Sequence, residues 1–391
     1  MAQSQGRESE DLAGVSFPRL GENPFQPERT AYCAKGSTTA TGECMGKLKV
    51  LLTGASGFLG QVLIPRLLES GFTVIGTSRR SVNAGHLGID WIQMDLSDQT
   101  SVMREDNLEE LAGIDIIVHA AALYDLAADH DALYRHNVLA TAHVMHLARI
   151  LPKTPHLCLM STIAVAGDMK GTFSEAMFDE GQSFSDSYAS TKFAAEQMVR
   201  SAKDIPSRSI VRLGILVGSS IDGSTPKIDG PYYLQRLLHS IQDYRKVINF
   251  SRFMPLPFDE KSRLFLVPVD YAAIAVEKII RLYHQKSGVH VFHVTGEPGG
   301  VSVRRIISAM LNHYNLTVEV IAVPERFVPN KVLVSLGIPS ELKAYMNREL
   351  NFDDSEFARR VQDFSYPRFQ DYSNLMFTFA DQYLFGEGGS S

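Results

Sequence analysis

Tyr188 stands four residues before Lys192 in the stretch SDSYASTKFAAEQ, residues 185–197. Four residues make roughly one helical turn, so a helix brings both side chains to one face. A free phenol holds its proton up to about pH 10, too firmly for ready exchange near neutrality. A neighbouring ammonium favours the phenolate and eases that exchange. The pair can then give a proton to, or take one from, a carbonyl or hydroxyl oxygen. Ala189, Ser190 and Thr191 leave the surface between them uncrowded. Chance Tyr-x-x-x-Lys pairs are frequent, so the pair needs a context. Upstream, HLCLMST ends a strand-like run in Ser161 and Thr162. A hydroxyl at the carboxyl end of a parallel strand lies where open α/β sheets bind ligands. Either hydroxyl can donate to the same oxygen.

The context is a glycine loop. In VLLTGASGFLGQVLIPRLL, residues 50–68, Gly54, Gly57 and Gly60 follow an apolar strand and lead into a helix. Glycine permits unusual backbone angles and lets a phosphate approach the chain closely. The helix directs free amide groups and its positive dipole end at that phosphate. Gly54, Ser56, Gly57, Phe58, Leu59 and Gly60 are therefore the expected cradle of a dinucleotide. The second strand ends in Ser78, Arg79 and Arg80, where NAD-preferring proteins place an acidic residue on the ribose. Guanidinium groups match a phosphate in shape and charge, which favours NADP (NADPH when reduced). Asp95 and Leu96 close the third strand. The Asp95 carboxylate can accept from the adenine amino group or cap its own turn.

These groups need a scaffold. KVLLTG, FTVIGTS, WIQMD, DIIVHAAA, HLCLMST and SIVRLGILVG are short and rich in Val, Ile and Leu, with helical spacing between them. Strands alternating with helices predict crossover units and a parallel sheet covered on both faces. The expected fold is α/β, a doubly wound parallel sheet of Rossmann type over residues 47–300, with a substrate-side insertion at 219–265. LFLVPVDYAAIAVEKIIRLYH followed by VHVFHVTGE reads as one more strand, helix and strand. Residues 301–391 read as a smaller, mostly helical C-terminal cap. Residues 1–46 mix Gly, Pro, Ser and charge without period, as a flexible tail would, and Met45 marks an alternative start.

The motifs TGASGFLG, DIIVHAAA, HNVLATAHV, MSTIAVAG and SYASTK follow one another as they do in extended short-chain dehydrogenase/reductases, which the chain resembles over about residues 47–300. The resemblance implies that Thr162, rather than Ser161, acts with Tyr188 and Lys192 as the catalytic set. It implies that Ala120, Ala121 and Ala122 line the cofactor through their backbone, and that Asn137 is the family's structural asparagine. Two positions depart from the pattern: RLG at 212–214 stands where RPG is usual, and Ala140 where glycine is usual. VGSSIDGSTPKIDGPYY is similar to a stretch of the male-sterility-like branch, which includes fatty acyl and thioester reductases. KIDGPYY, residues 227–233, is intact, while Ser219 and Asp222 replace an aspartate and a threonine.

Composition sets outer bounds. The chain has 391 residues, 45% apolar and 21% charged, enough for a sizeable core. A formal charge of -6 argues against a nucleic-acid binder. Three cysteines, Cys33, Cys44 and Cys158, form no framework and suit a reducing, cytoplasmic setting. His136, His143 and His146 share one expected helix, but no Cys or carboxylate completes a metal set. His119 reads as a satisfied core histidine. A small-molecule substrate is the expected partner, and contact with a membrane surface and homodimer formation stay open. Three functions follow in order: NADPH-dependent reduction of an acyl thioester or aldehyde; dehydrogenation or epimerisation of a sterol, ketone or nucleotide sugar, with Arg245, Arg252 and Arg263 as a diphosphate clamp; and non-catalytic dinucleotide sensing.

Overall fold

The computed structural model describes residues 47–83, 85–124, 128–323, 327, 331 and 349–385. The expected tail, with Cys33, Cys44 and Met45, lies outside them. Seven strands build the central sheet: β1 (Lys49–Thr53), β2 (Thr73–Ser78), β3 (Asp90–Gln93), β4 (Ile116–His119), β5 (His156–Thr162), β6 (Ser207–Leu213) and β7 (Gly288–Val294). Their order is β7-β6-β5-β4-β1-β2-β3, and every pairing is parallel. The expected doubly wound α/β fold is therefore the observed one.

Side-chain alternation explains the layers. Val50 and Leu52 of β1 face one side and Leu51 the other, as the pleat requires. On the first side they meet helix α1 (Phe58–Glu69), through Leu63, Ile64 and Leu67. On the second they meet α2 (Ala140–Ile150), through Val144 and Leu147, and α3 (Ser187–Ser201), through Val199. A second helix on the first side, α5 (Val269–Tyr283), packs on α1 through Ala272, Val276 and Ile280. Each fully buried Val, Leu or Ile contributes about 1.5–3 kcal/mol. The chain winds outward from β1 to β3, then returns to the far side of β1 with β4. That reversal opens a crevice at the carboxyl ends of β1 and β4, where such sheets bind ligands.

A second body covers that edge. It contains α4 (Tyr232–Ser240), α6 (Val303–His313) and α7 (Phe369–Phe379). Tyr232, Leu238, Phe258, Ile307, Met310, Tyr372 and Phe377 share one apolar cluster. The insertion and the far end of the chain thus form a single unit, although the sequence reading kept them apart. Among its described residues the body also contains strands, since Phe253–Pro257 pairs in parallel with Glu319–Val323. Residues 349–361 leave it. Leu350–Asp353 pairs with Gly171–Ser174, and Phe357 and Val361 join the core beside α5 and β7.

Candidate active site

The glycine loop turns sharply from β1 into α1. Gly54 has φ +70°, and a Cβ on it would stand 2.7 Å from the Ala121 amide nitrogen. A Cβ on Gly60 would collide with the Gly54 and Ala55 carbonyls. Backbone proximity, rather than flexibility, thus requires these two glycines. Gly57 is the N-cap of α1, and no side chain caps that end. The first-turn amides of Phe58, Leu59 and Gly60 therefore have no intrahelical partner. The Ser56 carbonyl accepts from Gln61 Nε2 at 3.0 Å.

Thr53 fastens this loop to the end of β4. Its carbonyl accepts from the Ala120 amide, and its hydroxyl from the Ala121 amide, both at 3.2 Å. The Thr53 hydroxyl donates to His119 Nδ1 at 2.7 Å, leaving Nε2–H to donate to Thr141 at 3.1 Å. Thr141 in turn donates to the Asn137 carbonyl. This chain of bonds needs a neutral imidazole. Burial, aided by the Lys192 charge, pushes His119 down to about 3. Ala122 is exposed beyond this anchor.

Around the rim of the sheet, Arg79 and Arg80 are exposed, and Ser78 Oγ accepts from the Arg80 amide at 3.3 Å. Asp95 Oδ1 accepts from the Ser97 amide and hydroxyl at 2.9 and 2.7 Å. The carboxyl lies below its usual range because these bonds and the Arg79 and His136 charges outweigh its burial, the largest single influence. Of its two expected roles, the structure displays the turn-capping one. Leu96 is buried, and its carbonyl is bonded to His143 at 2.8 Å. Among the described residues, no group of three or more His, Cys, Asp or Glu side chains is placed to hold a metal. None of the described helices is long and apolar enough to cross a membrane.

Tyr188 and Lys192 occupy the first two turns of α3, whose N-cap Asp186 accepts from the Ala189 amide at 2.7 Å. Tyr188 is half-buried, and Lys192 is 4% exposed. Lys192 Nζ donates to the Met160 carbonyl of β5 at 2.6 Å, which ties α3 to the strand that ends in Thr162. Burial lowers Lys192 to about 8, against the opposing Glu196 charge. Ser161 and Thr162 are separated by strand alternation. Ser161 is buried and donates to Glu196 at 2.7 Å. Thr162 is half-buried and its oxygen accepts from the Ala164 amide at 3.2 Å, leaving its proton to donate. Asn137 braces both sides of the crevice. It exchanges bonds with the Leu123 amide and carbonyl, at 2.8 and 3.1 Å, and donates to Thr191 at 3.1 Å. It sits in a π-helical stretch, Tyr134–Leu139, a widening that recurs at functional sites.

Three features escaped the sequence reading. Tyr124 meets Tyr188 edge to face, with ring centroids 4.7 Å apart. Arg212 is fully buried and bonds Glu196 at 2.7 Å, a pair that underlies Ser161. Glu175, also buried, accepts from the His293, Glu356 and Phe357 amides. The available signals were an aromatic residue two past the alanine triad and charges inside apolar runs. Arg245 is exposed on the insertion, and Arg263 Nη1 bonds the Gly299 and Gly300 carbonyls.

Residues 87–276 match the family model described as male sterility protein; the glycine loop lies just upstream of the match. The chain is 30% identical over 165 residues to 2-alkyl-3-oxoalkanoate reductase of Stenotrophomonas maltophilia, covering 40% of this chain and 47% of that protein. It is 28% identical over 196 residues to carboxylic acid reductase of Segniliparus rugosus, covering 39% and 16%. The chain thus spans under half the length of either relative. Its fold is similar to the terminal R domain from the myxalamid PKS-NRPS pathway, with TM-score 0.69, 20% identity, and 86% and 92% of the two chains covered. The motif order, the sheet topology and these matches agree: residues 87–276 match a male-sterility-type domain, and the chain resembles the extended short-chain dehydrogenase/reductases.

Proposed function

We propose that the chain reduces a carbonyl carbon with NADPH, most readily that of an acyl thioester. The observation that carries this reading is the setting of Tyr188: one turn before buried Lys192, on a helix tied to the strand that presents Thr162. The residues suit the cofactor. The glycine turn excludes side chains, α1 offers uncapped amides, and two exposed guanidinium groups stand at the end of β2.

Bound there, the reduced nicotinamide supplies a hydride to the substrate carbonyl carbon. Tyr188 gives its phenolic proton to the oxygen as negative charge grows on it. Thr162 donates a hydrogen bond to the same oxygen and stabilises that charge. Lys192 holds a positive charge one turn away and favours the phenolate that Tyr188 becomes. With a thioester substrate, the resulting hemithioacetal loses its thiol and leaves an aldehyde. The carboxylic acid reductase supports, by its name, a substrate at the carboxylic acid level of oxidation, and the oxoalkanoate reductase supports a ketone as the second reading.

A substrate panel tests it. Purified protein is incubated with NADPH and acyl-CoA thioesters, fatty aldehydes, ketosteroids, 3-oxo acids or nucleotide sugars, and nicotinamide absorbance is followed. Oxidation with thioesters and aldehydes is expected. Turnover confined to 3-oxo acids or ketosteroids would favour the second reading, and turnover confined to nucleotide sugars would overturn the first.

A further inference from the structure

The KIDGPYY motif has no part in the chemistry above, yet it reaches the proton donor. Asp229 Oδ1 accepts from the Tyr124 hydroxyl at 3.1 Å and from the Gly230 amide at 2.7 Å. Its Oδ2 pairs with Lys227 Nζ at 3.4 Å. The same ammonium lies over the Tyr124 ring, 4.0 Å from its centroid. Tyr124 is thus gripped at its hydroxyl and on its face, and its ring meets Tyr188 at an interplanar angle of 86°. The mount is rigid. Gly230 turns the chain at φ +51°, Pro231 starts α4, and the Tyr232 hydroxyl accepts from the Gly218 amide at 2.9 Å. Gln235, one turn on, donates to the Phe377 carbonyl at 2.8 Å, anchoring α4 in the second body.

Tyr188 carries its reactive oxygen at the end of a long side chain on a half-buried surface. Two side-chain torsions place that oxygen against a substrate carbonyl, and a small misplacement costs much of the rate. We infer that Tyr124, held by Lys227 and Asp229, is a positioning residue that fixes the Tyr188 ring, so that the substrate-side insertion sets the geometry of the proton donor. The role rests on the reductase reading; the ring contact itself does not.

The experiment therefore has two arms. In the first, the Tyr188 ring signals of 13C-tyrosine-labelled protein are assigned by their loss in Tyr188→Phe. Ring-current shifts from Tyr124 are expected to vanish in Tyr124→Leu and to weaken in Lys227→Met and Asp229→Asn. In the second, kcat, KM and NADPH affinity are measured with the substrate that the panel identifies. Tyr124→Leu is expected to lower kcat by about 10–100-fold while NADPH affinity holds, since displacement acts on the proton transfer. Tyr124→Phe keeps the ring and should retain more of kcat than Tyr124→Leu. Unmoved Tyr188 signals, or a wild-type kcat in Tyr124→Leu, would overturn the inference. If the wild type reduces no carbonyl compound, the reductase reading falls, and the first arm alone decides whether Tyr124 holds Tyr188.

Discussion

Ser161 and Thr162 carry the same functional group, and one residue of strand alternation gives them different work. Ser161 turns inward to Glu196, while Thr162 stays at the rim with a proton to donate. Residue type alone left both open; direction separates them. The same holds for Lys192, whose direction is fixed by a bond from one of its three N–H groups to the Met160 carbonyl of β5. Two predictions belong to this scale. Tyr188→Phe removes the proposed proton donor and leaves the ring in place. Its kcat should fall by about 10²–10⁴-fold, the usual worth of a positioned acid, with NADPH affinity intact in fluorescence titration. Lys192 should be visible in stability. Folded, it releases its proton near pH 8; unfolded, near 10.5. Between those values the unfolded chain holds the extra proton, so stability rises with pH. Urea unfolding of the cofactor-free protein should show this rise from pH 8 to 10 relative to Lys192→Met. Parallel curves would mean that Lys192 is not desolvated as described.

Elements carry the next level. The glycine loop, the strands and the first turns of α3 were readable because their signals are local: glycines spaced by three, short runs rich in Val, Ile and Leu, and a Tyr–Lys pair spaced by four. The pair Tyr124 and Asp229 spans 105 residues, and no local pattern announces such a contact. The Arg212–Glu196 pair was hidden for a related reason. In the sequence Arg212 reads as the first residue of an altered RPG turn. In the fold it lies inside β6 and reaches across to α3, bonding Glu196, the Met177 carbonyl and His293 Nε2. Its guanidinium also lies 4.9 Å from the centroid of the Phe173 ring. This pair locks β6, α3 and, through Ser161, the end of β5. Arg212→Met should cost about 3–5 kcal/mol, because it leaves the Glu196 carboxylate buried with a weakened partner set. Changing both residues, Arg212→Met with Glu196→Met, should recover much of that loss in urea denaturation. A double variant less stable than the single one would contradict the account. The Arg79 and Arg80 element is tested separately. Arg79→Asp with Arg80→Ser should weaken NADPH binding by at least about tenfold, since each charge-assisted phosphate bond is worth more than a neutral one, and should spare NADH.

At the scale of the whole molecule, the sequence reading placed one cap after residue 300, where the structure divides the chain twice. The reason is physical. Apolar periodicity says that a helix has a buried face, but not which body buries it. Residues 349–361 return to the central sheet because Glu175 takes the backbone amides of Glu356 and Phe357 while also holding β7 through His293. Residues 369–385 then cross back to the second body, where Asp381 joins Tyr314, Gln235 and His313. The second body is therefore closed by the last helix of the described chain. Cutting the chain at residue 364 removes Phe369, Tyr372, Met376 and Phe377, all nearly fully buried. Their partners Tyr232, Leu238 and Ile307 would then face water, and an exposed apolar patch of that size drives association. The shortened chain should aggregate or bind a hydrophobic dye, as followed by light scattering and dye fluorescence. Its central sheet keeps the glycine loop, β1 and β4, so NADPH binding should survive in whatever fraction stays monomeric. Reduction should be lost from that same fraction, because Lys227 and Asp229 reach Tyr124 from the body that has opened. Binding and turnover that disappear together would instead mean that the central domain depends on the second body for its own fold.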